Sequence, residues 1–412
     1  MRSFDRWKIY LGVAICALTC AGCGSGGSQQ AAQQTQETQQ IQEKQEIEEA
    51  KGAASLIQNE DYQQYVDDSR YLSWPQIAET EAGYYYFVDD YLRYHDKETN
   101  QEVYVCTQVN CTHDSDTCDA YFDMRYYRYE SGIWYYDGYL YLLGNEHGLT
   151  NYVLYRLQCD GTEREKVADL FSFEGEGDYL QSVIMHRGYL YYSLNNDDVL
   201  NNEYSSLYQV SCKPGSEPVE LYQTNLERSY VYRIKGYGDG VFFQIGEYLD
   251  EECEQFKGSI WYCTDQGSAS MIVDNAQRCY NIVDGKVYYT TDTSMNIYDI
   301  KTEEDSVFCE LGMICDISYD SKYIYLDNFY GVLLDDNIPT DTRTVYVMTY
   351  DGEVVESWNI PLNISAENCL FGNEEYLWMI QQEEKTGETR RVLCAMEKSQ
   401  MGTEDEAWTP WR

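Results

Sequence analysis

Asp137-Gly138-Tyr139-Leu140-Tyr141, Arg187-Gly188-Tyr189-Leu190-Tyr191 and Asp284-Gly285-Lys286-Val287-Tyr288-Tyr289 are copies of one unit: a two-residue turn ending in glycine, then a strand in which tyrosine and aliphatic residues mix. Such a pair between apolar runs marks a tight β-hairpin, because the turn needs positive φ and glycine supplies it without steric cost. The strand element returns at Gly83-Tyr84-Tyr85-Tyr86-Phe87, Asp239-Gly240-Val241-Phe242-Phe243, Ser321-Lys322-Tyr323-Ile324-Tyr325 and Glu375-Tyr376-Leu377-Trp378. Turn positions 83, 138, 188, 240, 285, 321 and 375 are separated by 55, 50, 52, 45, 36 and 54 residues, a spacing of propeller size. A later strand with the same tyrosine signature follows in most units, as in Leu154-Tyr155-Arg156-Leu157, Leu207-Tyr208-Gln209-Val210 and Val345-Tyr346-Val347-Met348. A four-stranded sheet cannot bury both faces alone, whereas sheets stacked around an axis cover one another and leave only short edges. The expected fold is therefore all-β, a seven-bladed β-propeller. Six blades is the alternative, because the 36-residue interval is tight and the turn at 375 lacks glycine. A pair of β-sandwiches fits less well, since their strand and turn alternation has a shorter period.

The chain has 412 residues, with 29 Lys and Arg against 71 Asp and Glu, for a net charge of −42. A surface this anionic repels phosphate backbones, which excludes nucleic acid as a partner. Aromatic residues make up 15% of the chain, and 43 of them are tyrosine; disordered acidic chains are poor in aromatics.

Ahead of the repeats, Arg2, Arg6 and Lys8 precede an apolar stretch from Ile9 to Leu18, the order of an export signal. Ten apolar residues are too few to span the membrane as a mature helix. The following Ala21-Gly22-Cys23-Gly24-Ser25-Gly26-Gly27-Ser28 resembles the lipobox of bacterial lipoproteins, with Cys20 standing where that family usually carries leucine. The resemblance implies that Cys23 is lipidated and tethers the protein to the membrane without spanning it; an ordinary cleaved signal with an unmodified Cys23 is the alternative. Residues 24–60, Gly/Ser-rich and then dominated by Gln and Glu, have too little apolar surface to fold alone and form a spacer with a flexible reach of roughly 35 Å. The organisation expected is a signal and lipobox over 1–23, a tether over 24–60 and the propeller over 61–412. A Gly/Ser start and polar tether resemble Gram-positive surface lipoproteins. The repeats over about 71–396 resemble the tyrosine-rich propellers of uncharacterised members of that group, similar in style to YWTD-type propellers. This implies an extracytoplasmic, membrane-anchored location.

One segment has chemical character: Cys106-Thr107-Gln108-Val109-Asn110-Cys111-Thr112-His113-Asp114-Ser115-Asp116-Thr117-Cys118. Three thiols and an imidazole within 13 residues match the donor set of a tetrahedral structural zinc site, closed because all four ligands are protein. The spacing departs from the usual Cys-x2-Cys pairs, and an exported chain also permits a disulfide between two of the three cysteines, or free thiols. Alignment of blade 1 on blade 5 places Cys106 at the end of an outer strand and the rest in the connection to the innermost strand of blade 2. A similar segment recurs in the resembling lipoproteins, which implies a shared role without identifying it. The other cysteines of the repeats, among them Cys159, Cys212, Cys263, Cys279, Cys315, Cys369 and Cys394, fall at equivalent blade positions and read as small buried hydrophobes.

Enzyme signatures are thin. The four histidines are His95, His113, His147 and His186, and there is neither a G-x-S-x-G nor an H-E-x-x-H motif, nor a sialidase Asp box, so triad and zincin chemistry lack their parts. Nothing singles out two carboxylates for glycoside hydrolysis. Acidic runs at Asp197-Asp198, Asp250-Glu251-Glu252 and Asp335-Asp336-Asn337 lack the residue order of an EF-hand and read as solvated faces rather than Ca²⁺ sites. No catalytic residue is assigned. The function expected is a monomeric, lipid-anchored binding or scaffolding propeller for a surface glycan or envelope protein; the alternatives are a carboxylate enzyme acting on polysaccharide and an extracytoplasmic sensor domain.

Overall fold

The computed structural model describes residues 77–410 except 89, 123–131, 146–150, 173–177, 197–204, 225, 227, 251–254, 278, 314, 329–342, 360–370, 374, 386–387, 402 and 404–406. The signal, Cys23 and the tether lie outside the described residues.

Seven four-stranded antiparallel sheets follow one another along the chain, each with its strands in sequence order. The protein is a seven-bladed β-propeller, and the six-bladed alternative is excluded. Blade 1 comprises β1 (Ile77–Glu79), β2 (Gly83–Val88), β3 (Tyr91–Asp96) and β4 (Glu102–Tyr104). Blade 2 comprises β5 (Ile133–Tyr136), β6 (Tyr139–Asn145), β7 (Asn151–Gln158) and β8 (Glu165–Ser172). Blades 3 to 7 occupy residues 178–224, 229–273, 280–310, 316–359 and 371–410. First strands of neighbouring blades touch one another, so the first strand of each sheet lines the axis.

Two turn chemistries join the first and second strands. In blades 2, 3 and 5 both turn residues take positive φ: Asp137 and Gly138 at 48° and 83°, Arg187 and Gly188 at 50° and 80°, Asp284 and Gly285 at 47° and 74°. Blades 6 and 7 reach the same reversal through a side chain. Asp320 Oδ1 accepts the N–H groups of Lys322 and Tyr323 at 2.8 and 2.7 Å, and Asn373 Oδ1 accepts those of Glu375 and Tyr376 at 2.9 and 2.8 Å. These Asx-type turns replace the glycine that the last two repeats lack.

Each seam between blades carries its own apolar cluster, and the last closes the ring. Trp134, Tyr141 and Leu154 of blade 2 pack on Val183, Leu190 and Cys212 of blade 3; Ile77, Tyr84 and Tyr86 of blade 1 pack on Trp378, Leu393 and Ala395 of blade 7. Most of the repeat cysteines that are described belong to these seams. Cys212, Cys263 and Cys315 are buried there with free thiols, Cys394 is buried in the seam of blades 6 and 7, and burial pushes the Cys212 and Cys263 thiols up to about 12. Cys369 lies outside the described residues.

Candidate metal centre

The Cys/His segment is an excursion from the outer edge of blade 1. Tyr104 of β4 pairs with Arg93 of β3, and Val105 N–H donates to the Leu92 carbonyl at 3.0 Å. The chain then leaves the sheet and comes back to the same edge. Leu92 N–H donates to the Ala120 carbonyl at 2.8 Å, Tyr121 bridges Tyr91, and Phe122 N–H donates to the Asp90 carbonyl at 2.8 Å. The two main-chain groups of Leu92 thus hold both ends of the loop. Residues 106–119 follow β4 and precede β5, as expected; what the sequence did not show is that the connection first returns to the edge of blade 1 at Ala120–Phe122.

Within the loop the four expected residues converge. The Sγ atoms of Cys106, Cys111 and Cys118 and a ring nitrogen of His113 lie within 4.8 Å of one another, and His113 Nδ1 is 3.2 Å from Cys118 Sγ. Tetrahedral zinc with ordinary bond lengths places sulfurs about 3.8 Å apart and sulfur and nitrogen about 3.6 Å apart, so the cluster is of metal-site dimensions. Asn110 and His113, on either side of Cys111, adopt left-handed φ of 62° and 54°. This conformation turns the chain twice in four residues and aims Cys111 and His113 inward.

The thiols are electrostatically unequal. Burial opposes ionisation of Cys106, but the backbone N–H groups of Gln108 and Asp119, with the Cys118 and Cys111 thiols, bring it below the usual cysteine range. Cys118, only 4% exposed, is pushed up to about 12 by burial and by its thiol neighbours, against one N–H from Ala120.

Polar contacts brace the loop. Asp119 accepts from Thr107 Oγ1 and from Gln108 Nε2 at 2.8 Å, and Gln108 Nε2 also donates to the Thr117 carbonyl at 2.7 Å, tying the two ends together. These donors hold the Asp119 carboxyl below the usual carboxylate range. The His113 ring stacks on Tyr104 at 4.2 Å and 11°. Arg93 lies over the same ring, donates to Tyr104 Oη at 3.0 Å and pairs with Glu102, which also accepts from Tyr86 Oη at 2.5 Å. A polar chain thus links the imidazole to the blade core.

The acidic runs fall largely outside the described residues; Asp250, which is described, accepts the Gln255 N–H at 3.0 Å and caps its own turn. A second polar cluster was missed by sequence reading. Arg233, in the first strand of blade 4 (Ser229–Tyr237), sits at a register shift with φ of 50°. Its guanidinium reaches past blade 5 to Asp316 Oδ1 at 2.9 Å, on the first strand of blade 6 (Asp316–Tyr319). The pair is 1% and 2% exposed. Cys279 lies 3.1 Å from the same carboxylate, and burial raises its thiol far above the nucleophilic range. The only hint in the sequence is a pair of cations, Arg233 and Lys235, inside an otherwise apolar tyrosine-rich strand.

No protein-family model matches the chain, and no curated protein is significantly similar to it. Solved structures do match in shape. A puromycin hydrolase superposes with a TM-score of 0.51 at 11% identity, over 84% of this chain and 56% of its own. The match shows a propeller and nothing finer. A prolyl endopeptidase gives 0.46 at 12% identity over 91% of this chain and 59% of its own, and an oligogalacturonate lyase from Vibrio parahaemolyticus gives 0.49 at 10% over 82% and 92%. The chain spans just over half the length of the puromycin hydrolase that it matches.

Proposed function

We propose that the protein is a binding or scaffolding propeller, held outside the cytoplasm by a lipid on Cys23, whose loops engage an extended ligand such as a surface glycan or an envelope protein. The observation that carries this reading is an ion pair buried among the axial strands. Arg233 and Asp316 meet across the inner strands of three successive blades, and all nine residues of the blade 4 inner strand are buried. An ion pair buried among the axial strands leaves less room there for a small substrate, which favours recognition by the outer loops. Tyr135, at the end of the inner strand of blade 2 and 43% exposed, offers an aromatic face to such a ligand. The membrane address rests on residues 2–28 and on their resemblance to Gram-positive lipoproteins.

The test is retention of envelope proteins and of a surface-glycan panel on the immobilised full-length protein, with the same glycans followed for turnover between pH 4 and 8. Saturable retention without turnover is the expected result. Turnover would transfer the function to the polysaccharide-enzyme reading, and no retention of any kind would overturn the binding role. A membrane protein recovered reproducibly by crosslinking, with no glycan bound, would favour the sensor reading.

A further inference from the structure

We propose that Cys106, Cys111, His113 and Cys118 bind one zinc ion as a closed tetrahedral site that staples the 106–119 excursion to the outer edge of blade 1. The burial pattern of the loop is the first argument. Residues 107–110, 112 and 114–117 are all exposed, and the four candidate ligands are, with Asp119, the residues that are not. The ligands are thus the loop's own core. A segment this short and polar has no apolar surface to fix its shape, and small folding units lacking a core are held by a metal or by disulfides.

Three features favour the metal over a disulfide. A bridge between two cysteines has no need of the imidazole, yet His113 Nδ1 is 3.2 Å from Cys118 Sγ, and placing the ring there uses a left-handed backbone at a β-carbon-bearing residue, a conformation that persists where its surroundings hold it. All three sulfurs lie within reach of one common centre, which serves a four-coordinate ion and leaves one sulfur over in a disulfide. Backbone N–H groups point at two sulfurs, those of Gln108 and Asp119 at Cys106 and that of Ala120 at Cys118; such donors stabilise a ligating thiolate.

The donor set selects the ion. Thiolate and imidazole suit zinc, whereas Ca²⁺ and Mg²⁺ take oxygen. Four protein ligands leave no open position for water or substrate, so the role is structural. Its consequence reaches the blade: the loop returns as Ala120–Phe122, and Phe122 packs between Phe87 and Arg164 of blade 2 at 5.3 and 4.3 Å. Fixing the loop therefore fixes residues at the seam between blades 1 and 2.

The experiment uses the full-length protein purified without chelator, with metal content measured by mass spectrometry and each loop cysteine followed by differential alkylation. Expected are about one zinc per chain and protection of Cys106, Cys111 and Cys118 until a chelator is added. Cys111→Ser is expected to lower zinc to about a tenth of that or less, while His113→Cys, a competent four-thiolate site, retains it. Hydrogen exchange at the Leu92 and Phe122 amides, which hold the returning end of the excursion to blade 1, is expected to quicken in Cys111→Ser while blades 3 to 5 keep their protection. A disulfide between any two of the three cysteines without bound metal overturns the proposal, as do three freely reactive thiols in metal-free protein. Zinc that remains stoichiometric in Cys111→Ser also overturns it, because the ion is then held elsewhere.

Discussion

Burial keeps His186 neutral, and the cost surfaces in acid. Its side chain sits at the end of the first strand of blade 3 (Asp178–His186), with Nε2–H donating to the Gly238 carbonyl of blade 4 at 3.0 Å. Burial, aided by the Arg187 charge and opposed by the Gly238 carbonyl and Asp239, pushes the imidazole down to about 4. In the unfolded chain the same group titrates near 6.5, so between these values the unfolded state binds more protons and stability falls with falling pH. The contribution is complete above about pH 6.5 and is lost progressively down to about 4, a span worth roughly 3 kcal/mol. Urea unfolding of His186→Gln across pH 4–7 is expected to show a shallower acid slope than the parent, even if its stability at neutral pH is lower. An unchanged slope would mean that His186 is not the group responsible. At this scale the sequence is a partial guide. Cysteines 106, 111 and 118 and His113 stand out because four soft donors crowd into 13 residues, whereas Arg233 and Asp316 are 83 positions apart and no local pattern joins them.

Individual strands and turns were legible where one residue type had no substitute. Gly138, Gly188 and Gly285 announce their hairpins because φ of 74–83° excludes most side chains. The turns of blades 6 and 7 are quieter because Asp320 and Asn373 do the work through side-chain acceptors. The return of the blade 1 excursion was not legible for a related reason: Ala120–Phe122 is three residues long, too short to show a strand period. Two glycines separate backbone strain from packing. A Cβ on Gly138 would meet nothing within 4 Å, so Gly138→Ala is charged only for its φ of 83°, about 1 kcal/mol. A Cβ on Gly258, in the third strand of blade 4 (Phe256–Thr264), would lie 1.9 Å from the Ala276 carbonyl oxygen and 2.7 Å from that of Gln277. Those are backbone atoms that cannot swing aside, and Gly258→Ala is expected to cost about 3 kcal/mol or more. Denaturant midpoints of the two variants test the order; equal losses would show that the strand gives way around the new methyl.

The count of seven was readable from the turns, but the way the ring closes was not. Every blade takes its four strands from consecutive sequence, so among the described residues no strand from one end of the chain completes a sheet at the other. Six seams are spanned by the continuous chain; the seam between blades 7 and 1 is held by side chains. Tyr84 packs edge-on against Trp378 at 5.7 Å and Tyr376 at 6.0 Å and donates to Glu375 at 3.3 Å, while Asn373 donates to Glu79 at 2.9 Å. Unfolding that begins there frees both ends at once without first breaking a covalent connection, so this seam is expected to be the least protected part of the ring. Trp378→Ala, which empties a fully buried site, should cost about 3–5 kcal/mol. Its hydrogen exchange should quicken first in β1, β2 and the described strands of blade 7, with blades 3 to 5 nearly unchanged. Phe243→Ala at the seam of blades 3 and 4, equally buried, is the control: a similar loss of stability without opening at blades 1 and 7. Uniform quickening in Trp378→Ala would show instead that the seven seams open as one unit.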